Sequence, residues 1–476
     1  MTRLKYMPYK KRTKMVCTIG PSSDKEELLR TCIQLGMNVA RLNFSHNTHA
    51  YHGRLIARIR RIAKQEGKTV AILQDLQGPK IRMGVLPEKG VRLIIDEEII
   101  FETNRSVYQE KEPLLFPVTY AGLHKDVKPG DRIFLDDGAM EVLVTSVIGK
   151  KVFAKVKTGG IVFSHKGMNF PDSHLSVSSL TKKDQEDLLF GLSKKVDWVA
   201  LSFVTSKKDI TDLRRLIKRH LSPSERPPRV LIKIEKQEAL QDIDALIQAA
   251  DGIMIARGDL GVETSAADVP LRQKEIIEKC RQIGKPVVVA TQMLDSMIRH
   301  PRPTRAEVSD VANAVIDHAD ALMLSGETAN GLYPIEAVKM MAEIIEKTEQ
   351  SPFDDMEPNH CSKETHAVLA CVFQQLSYQK QIQAIVSATF FGEWAELLNI
   401  YRPEIPLFLA SDEEMTMRQI ALRWGTHAFL LKKKSPQDFS RYALAILKKK
   451  RWLKKGMRVA VVVGQGKDVG FEVIVV

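Results

Sequence analysis

Two short stretches carry the residue types that could work on an anionic substrate. Ile232-Lys233-Ile234-Glu235 sets an amine beside a carboxylate, and Ala256-Arg257-Gly258-Asp259 adds a second carboxylate next to a glycine. Without a Cβ, a glycine lets backbone N–H groups approach an anion. Glu235 and Asp259 are hard oxygen donors, and with room for water and substrate oxygens they suit Mg2+ or Mn2+. Zinc would call for His or Cys. Lys233 and Arg41 contribute positive charge. A divalent ion with a lysine and an arginine can stabilise phosphoryl oxygens and an enolate as charge moves between them. Taken singly, Lys233 and Glu235 are equally an ordinary salt bridge.

The elements that must position these groups follow a βα rhythm. Near-continuous apolar runs at Met15–Ile19, Asn38–Leu42 and Val70–Leu73 read as strands of a parallel sheet buried on both faces, with helices between them. From about Met83 to Ser178 the rhythm gives way to short alternating segments broken by Gly, Pro and Asp, with no convincing helix. It resumes at Leu180, with strands expected at Trp198–Leu201, Val230–Ile234, Gly252–Ile255, Val287–Ala290 and Ala321–Leu324. Three strands and five make eight, which predicts a (β/α)8 TIM barrel carrying an inserted all-β domain. After Gln350 a polar, breaker-rich stretch leads into a second α/β pattern. The expected division is therefore a barrel from 1–82 with 179–350, a β insertion at 83–178, and a C-terminal α/β domain at 351–476.

Barrel enzymes keep their active sites at the C-terminal strand ends. Here strand two runs into Arg41-Leu42-Asn43-Phe44-Ser45-His46, and strand three into Asp75-Leu76-Gln77-Gly78-Pro79-Lys80-Ile81-Arg82. Strand four runs into Ser202-Phe203, and strands five and six end in the two stretches above. Strands seven and eight run into Thr291-Gln292 and Ser325-Gly326-Glu327-Thr328. So many polar strand ends converging on one rim point to a site rather than to scattered ion pairs.

Composition excludes other classes. The chain of 476 residues is 44% hydrophobic and 27% charged, the balance of a folded soluble protein, and no apolar run is long enough to span a bilayer. The N-terminus has no signal-peptide core. Five scattered cysteines with no C-x-x-C pair argue against a disulfide framework and a structural zinc site, and for a reducing, cytoplasmic setting. The formal charge of +13 is expected on solvated helix faces such as Arg54 to Arg61 and Lys448 to Lys455, with no nucleic acid or membrane as partner. A non-catalytic polyanion-binding protein is the competing reading of that charge.

With these residues in place, the chain resembles the pyruvate kinase family along nearly its whole length. The resemblance rests on Ile232 to Glu235, Ile253 to Glu263, Ala290 to Leu294, Arg41 to His46, and Pro303 to Ala314. It implies transfer of the phosphoryl group of phosphoenolpyruvate to ADP, giving pyruvate and ATP, the last step of glycolysis. It implies Mg2+ (or Mn2+) on Glu235 and Asp259, Lys233 on the transferring phosphoryl group and the enolate, Arg41 on the phosphoryl group, and Thr291 near the enolate carbon that takes the proton. The backbone of Ala256, Arg257, Gly258 and Asp259 resembles the substrate-carboxylate pocket. Ser202, Phe203 and Glu327 match active-site positions; His46, Arg82 and Lys166 match nucleotide-binding ones. The insertion resembles a lid, the C-terminal domain an effector and oligomerisation domain, and the family is typically homotetrameric. A Mg2+-dependent enolate lyase or aldolase on the same barrel is the nearest alternative.

Two departures from the family pattern stand out. Asn43, Ser45, Asp75 and the carbonyl of Leu76 correspond to a monovalent-ion pocket, beside which the family usually carries a glutamate; here the residue is Lys80. Its ammonium would supply the missing charge and repel K+, so K+ is expected not to be required. In the C-terminal domain the family's effector-phosphate loop is replaced by Thr389-Phe390-Phe391-Gly392-Glu393-Trp394-Ala395, where Glu393 stands for the cation. Activation by sugar phosphates is expected to be weak or absent.

Overall fold

A computed structural model describes residues 11–103, 108–110, 113–354, 365–389, 393–432, 436–463 and 470–476. Strands β1 (Lys14–Thr18), β2 (Val39–Asn43) and β3 (Ala71–Asp75) open the barrel. The inserted domain follows with β4 (Val91–Leu93), β5 (Glu98–Glu102), β6 (Leu114–Pro117), β7 (Arg132–Leu135), β8 (Met140–Ile148), β9 (Lys151–Thr158), β10 (Gly160–Val162) and β11 (Met168–Asn169). The barrel is completed by β12 (Trp198–Leu201), β13 (Arg229–Ile234), β14 (Gly252–Ala256), β15 (Val287–Ala290) and β16 (Ala321–Leu324). These eight parallel strands close in the order β1-β16-β15-β14-β13-β12-β3-β2. Each expected barrel strand is present to within two residues, because a strand buried on both faces shows itself as an unbroken apolar run.

The insertion is a six-stranded, mostly antiparallel sheet with a separate two-stranded ribbon, and it has its own apolar core. One short helix, Leu123–Asp126, interrupts it, where the sequence reading finds none. The C-terminal domain has a sheet in the order β19-β18-β17-β20-β21, built from β17 (Ala384–Ala388), β18 (Leu407–Ser411), β19 (Thr426–Leu430), β20 (Arg458–Val463) and β21 (Gly470–Val475). Cys371 in this domain is disulfide-bonded, which corrects the expectation drawn from cysteine spacing; Cys17, Cys32 and Cys280 are free and buried. Among the described residues no helix is long and apolar enough to cross a membrane.

The base of the barrel shows a fourfold device. Asn38, Asp197, Asp251 and Asp320 stand just before β2, β12, β14 and β16, every second barrel strand, and each accepts a backbone N–H from the first or second residue of the barrel strand before it. The acceptor distances are 3.0 Å from Met15, 2.8 Å from Ile72, 2.7 Å from Val230 and 3.1 Å from Val287. The parallel ladder would otherwise leave these amides without a partner in a dry interior. The C-terminal domain plugs the same end. Ala421 and Leu422 join the side chains inside the barrel, and Trp198 Nε1 donates to the Gln419 carbonyl at 3.1 Å. The basic run at Arg54–Arg61 alternates with buried Leu55, Ile56 and Ile59, so its charge lies on the outer face of its helix.

Candidate active site

At the opposite rim the strand ends gather one connected polar network. Thr18 pairs with Arg41 across β1 and β2. Arg41 Nη1 donates to Thr18 Oγ1 at 2.9 Å, and Thr18 Oγ1 donates to the Leu324 carbonyl at 2.9 Å. Arg41 Nε donates to Asp75 Oδ2 at 2.6 Å, which clamps the guanidinium from the β3 side. Three neighbouring strands thereby hold one cation over the barrel mouth.

Lys233 is the centre of the network. Its Nζ lies 2.6 Å from Glu235 Oε1 and 3.8 Å from Asp75 Oδ1, and donates to Ser202 Oγ at 3.0 Å. Ser202 Oγ in turn donates to the Leu76 carbonyl at 2.8 Å. Glu235 is 1% exposed, and its Oε2 accepts the Phe203 N–H at 2.7 Å. Burial presses the Lys233 ammonium toward neutrality, yet Asp75 and Glu235 outweigh it, and its pKa lies above the ordinary lysine value. Burial drives the Glu235 carboxyl upward and Asp259 adds to the rise, against the pull of Lys233.

Asp259 stands in the first turn of the helix Arg257–Glu263, which begins directly at the end of β14. It lines the cleft between the barrel mouth and the inserted domain with Lys80, Phe203, Lys236 and Glu263. Among the described residues no three His, Cys, Asp or Glu side chains form a ready metal cage. Two carboxylates on adjacent strand ends, with an open cleft beside them, fit a hard divalent ion that takes its remaining ligands from water and substrate oxygens. The donor set therefore fits Mg2+ or Mn2+.

The backbone around this network is strained at defined points. Phe203, Thr291 and Gln292 have φ of 55°, 70° and 52°, a conformation costing non-glycine residues on the order of 1–3 kcal/mol. Gly78, at φ 68°, leaves no room for a Cβ, which would stand 2.9 Å from the Phe203 ring and 3.0 Å from Ser202 Cβ. Thr291 Oγ1 accepts the Gly258 N–H at 2.8 Å and donates to the Ala290 carbonyl at 2.6 Å. One amide of the expected carboxylate pocket is thus held by Thr291. Glu327 is 1% exposed and accepts the N–H groups of Leu294 at 3.0 Å and Ser325 at 2.7 Å, tying the β15 and β16 loops together.

Comparison with known proteins decides the family. The pyruvate kinase barrel domain matches residues 10–338, and the pyruvate kinase alpha/beta domain matches residues 367–472. The chain belongs to the pyruvate kinase family. It is 42% identical to pyruvate kinase 2 of Synechocystis sp. over 96% of this chain and 77% of that one. It is 41% identical to the pyruvate kinase of Geobacillus stearothermophilus, covering 88% of this chain and 71% of that protein. The crystal structure of a pyruvate kinase from Cryptosporidium parvum superposes with a TM-score of 0.91 at 32% identity, covering 98% of this chain and 97% of that one. The chain is accordingly a phosphotransferase that moves the phosphoryl group of phosphoenolpyruvate to ADP.

In this chain, Arg82 and Lys166 come together at the edge of the inserted domain. Arg82 pairs with Gly167 and donates to the His165 carbonyl at 2.9 Å, while Lys166 Nζ lies 2.8 Å from Asp136 Oδ1. His46 is exposed in the turn after β2, and among the described residues no hydrogen bond or ion pair joins it to either. The four residues of the expected monovalent-ion pocket are drawn into the protein's own bonding. Asp75 holds Arg41, the Leu76 carbonyl is taken by Ser202, and Asn43 Oδ1 accepts the Ser45 N–H at 3.1 Å. Lys80 lies beneath the inserted domain, where a Cβ on Gly167 would sit 3.3 Å from its Cε. Residues 390–392 of the altered effector loop lie outside the described residues.

Sequence reasoning misses several positioning residues: Thr18, the partnership of Asp75 with Arg41, and Asp184. Asp184 is fully buried and accepts the Gly78 N–H at 3.1 Å and the Thr181 N–H at 3.0 Å, so it joins the two chain segments that leave and re-enter the barrel. Thr181 and Asp184 are spaced as a capping box, which signals the helix start but not the bond to Gly78.

Proposed function

We propose that Lys233 carries the phosphoryl transfer from phosphoenolpyruvate to ADP in this chain. The observation behind this reading is its largely buried ammonium, bracketed by Glu235, Asp75 and Ser202 and facing the same rim as Arg41. A cation already fixed by its surroundings needs no reorganisation as charge moves from the phosphoryl oxygens to the enolate. Arg41 binds the phosphoryl group and Lys233 neutralises it while an ADP oxygen attacks in line. Glu235 and Asp259 hold Mg2+ (or Mn2+), which when bound supplies charge neutralisation at the phosphoryl oxygens. The backbone of Ala256 to Asp259 receives the substrate carboxylate, with Ser202 beside it. Thr291 places the proton on the enolate carbon through a water. His46, Arg82 and Lys166 bind the nucleotide, and the insertion at 83–178 closes over it, limiting hydrolysis.

The same reading divides the chain at 1–82 with 179–350, 83–178 and 351–476, and takes it as a cytoplasmic homotetramer acting at the last step of glycolysis. A coupled assay of ATP formation tests the reaction: Lys233→Met should slow it by about 10²- to 10³-fold while the chain stays folded. Turnover without ADP would favour a lyase or aldolase. A salt-dependent nucleic-acid shift with no kinase activity would favour polyanion binding. Sedimentation of the full chain checks the assembly.

We further propose that Lys80 makes K+ dispensable. Equal rates in buffers holding only Na+ or only K+ are expected, and strong K+ activation would overturn the proposal. The Thr389–Ala395 loop is proposed not to serve sugar phosphates, and titration with a sugar bisphosphate should leave the apparent phosphoenolpyruvate affinity unchanged.

A further inference from the structure

Strand β15 is followed directly by two successive left-handed residues, Thr291 and Gln292. A residue branched at Cβ resists this conformation, so its surroundings must impose it. The carbonyl between the two accepts a hydrogen bond from Arg257 Nη2 at 2.8 Å. The guanidinium is anchored from behind: Nη1 donates to Asp310 Oδ1 at 2.7 Å and to Gln273 Oε1 at 3.3 Å, and Nη2 also meets Met293 Sδ at 2.8 Å. Asp310 and Gln273 sit on the helices Arg305–Ile316 and Val269–Gln282, outside the strand ring. The next residue in the chain, Gly258, donates its N–H to Thr291 Oγ1. One short stretch after β14 therefore sets both the backbone and the hydroxyl of Thr291. With Nη1 and Nη2 committed to this framework and Nε buried without a partner, the Arg257 side chain has little left to offer a substrate carboxylate.

We infer that Arg257 is a positioning residue for the proton step, fixing the peptide between Thr291 and Gln292 so that the Thr291 hydroxyl stands over the enolate carbon. The inference rests on the proposed role of Thr291.

Solvent-deuterium exchange into the pyruvate methyl group tests it. A proton leaves C3, a deuteron from solvent replaces it, and no other reactant is consumed. The full chain is used with Mg2+ and inorganic phosphate, and NMR follows the label beside steady-state rates and thermal melts. Arg257→Gln should slow exchange by on the order of tenfold to hundredfold. Arg257→Lys should recover part of it, and the KM for phosphoenolpyruvate should stay within about twofold, as for a side chain that does not touch substrate although its backbone lines the carboxylate pocket. The double variant with Thr291→Ala should exchange no more slowly than Thr291→Ala alone. A raised KM with the exchange-to-turnover ratio intact would overturn the inference, as would additive losses in the double variant. Thr291→Ala on its own separates the two claims. Unchanged exchange there removes the role of Thr291 and the inference with it. Lost exchange there, with Arg257→Gln unaffected, removes only the inference. If Arg257→Gln fails to fold, Arg257→Lys and Asp310→Asn make the same comparison.

Discussion

The two rims of the barrel bury acidic side chains equally well and use them in opposite ways. At the base, Asp197 and Asp320 are fully buried, and each accepts an N–H from the first two residues of a barrel strand and an arginine of the C-terminal domain. Asp320 also takes Asn399 Nδ2 at 2.9 Å and the Trp424 N–H at 3.0 Å, so both of its oxygens are saturated by protein. At the mouth, Asp75 and Glu235 are 1% exposed, but their partners are mainly the two cations Arg41 and Lys233, while Asp259 opens onto the cleft. Left-handed residues at 203, 291 and 292 crowd the mouth. Burial alone therefore does not mark a catalytic carboxylate. What separates the rims is whether protein groups complete the bonding or leave part of it for a ligand.

The contrast can be attacked from either rim. Removing divalent ions with EDTA should reduce ATP formation to background, with recovery on adding Mg2+ or Mn2+; activity that survives thorough chelation would break the metal reading of Glu235 and Asp259. Lys233→Met should lower kcat by about 10²- to 10³-fold with little change in the melting temperature. A large loss of stability in that variant would make the mouth resemble the base.

At the base, Asp320→Ala strands the Arg402 side chain, which is 1% exposed, and should cost about 3–5 kcal/mol in denaturant melts. Below its melting temperature the variant should keep kcat within about twofold, since the remaining contacts at the mouth are untouched. Failure of activity without loss of stability would erase the division between the rims.

The narrowest effect, confined to one pH window, concerns Asp354, next to the barrel base. Burial lifts its pKa from 3.8 to about 7 in spite of Arg12, whose Nη2 lies 2.6 Å away. A carboxyl raised on folding stabilises the protein below its unfolded pKa and loses that contribution as pH rises through the folded one. Wild-type stability should thus fall relative to Asp354→Asn between about pH 4 and 7, by at most roughly 1.4 kcal/mol per unit. Parallel pH profiles for the two proteins would rule out this assignment.

Much of this architecture was legible before any coordinates. All eight barrel strands announce themselves as apolar runs, and the polar residues that follow them gather at one rim. Less was legible where a signal is short or depends on distant partners. The Leu123–Asp126 helix is a single turn, too brief for a periodic pattern. Strand β21 pairs antiparallel on one side only, and none of its residues is fully buried, so its apolar residues do not mark a buried strand. The repeated Asn or Asp before every second barrel strand was visible in the chain, yet its meaning requires knowing which strand lies alongside.

The chain by itself determined the βα alternation, its all-β interruption, and the inventory of Lys233, Glu235, Asp259, Arg41 and Thr291, because strand burial and side-chain chemistry are local properties. Only the closed barrel decided that Arg41 answers to Thr18 and Asp75, that Arg257 turns its guanidinium back to brace Thr291, and that Asp320 belongs to the C-terminal domain as much as to the barrel. Those pairings join residues 23 to 82 positions apart. A hydrogen bond depends on ångström-scale placement, and sequence distance carries no record of that until the strands close into a ring.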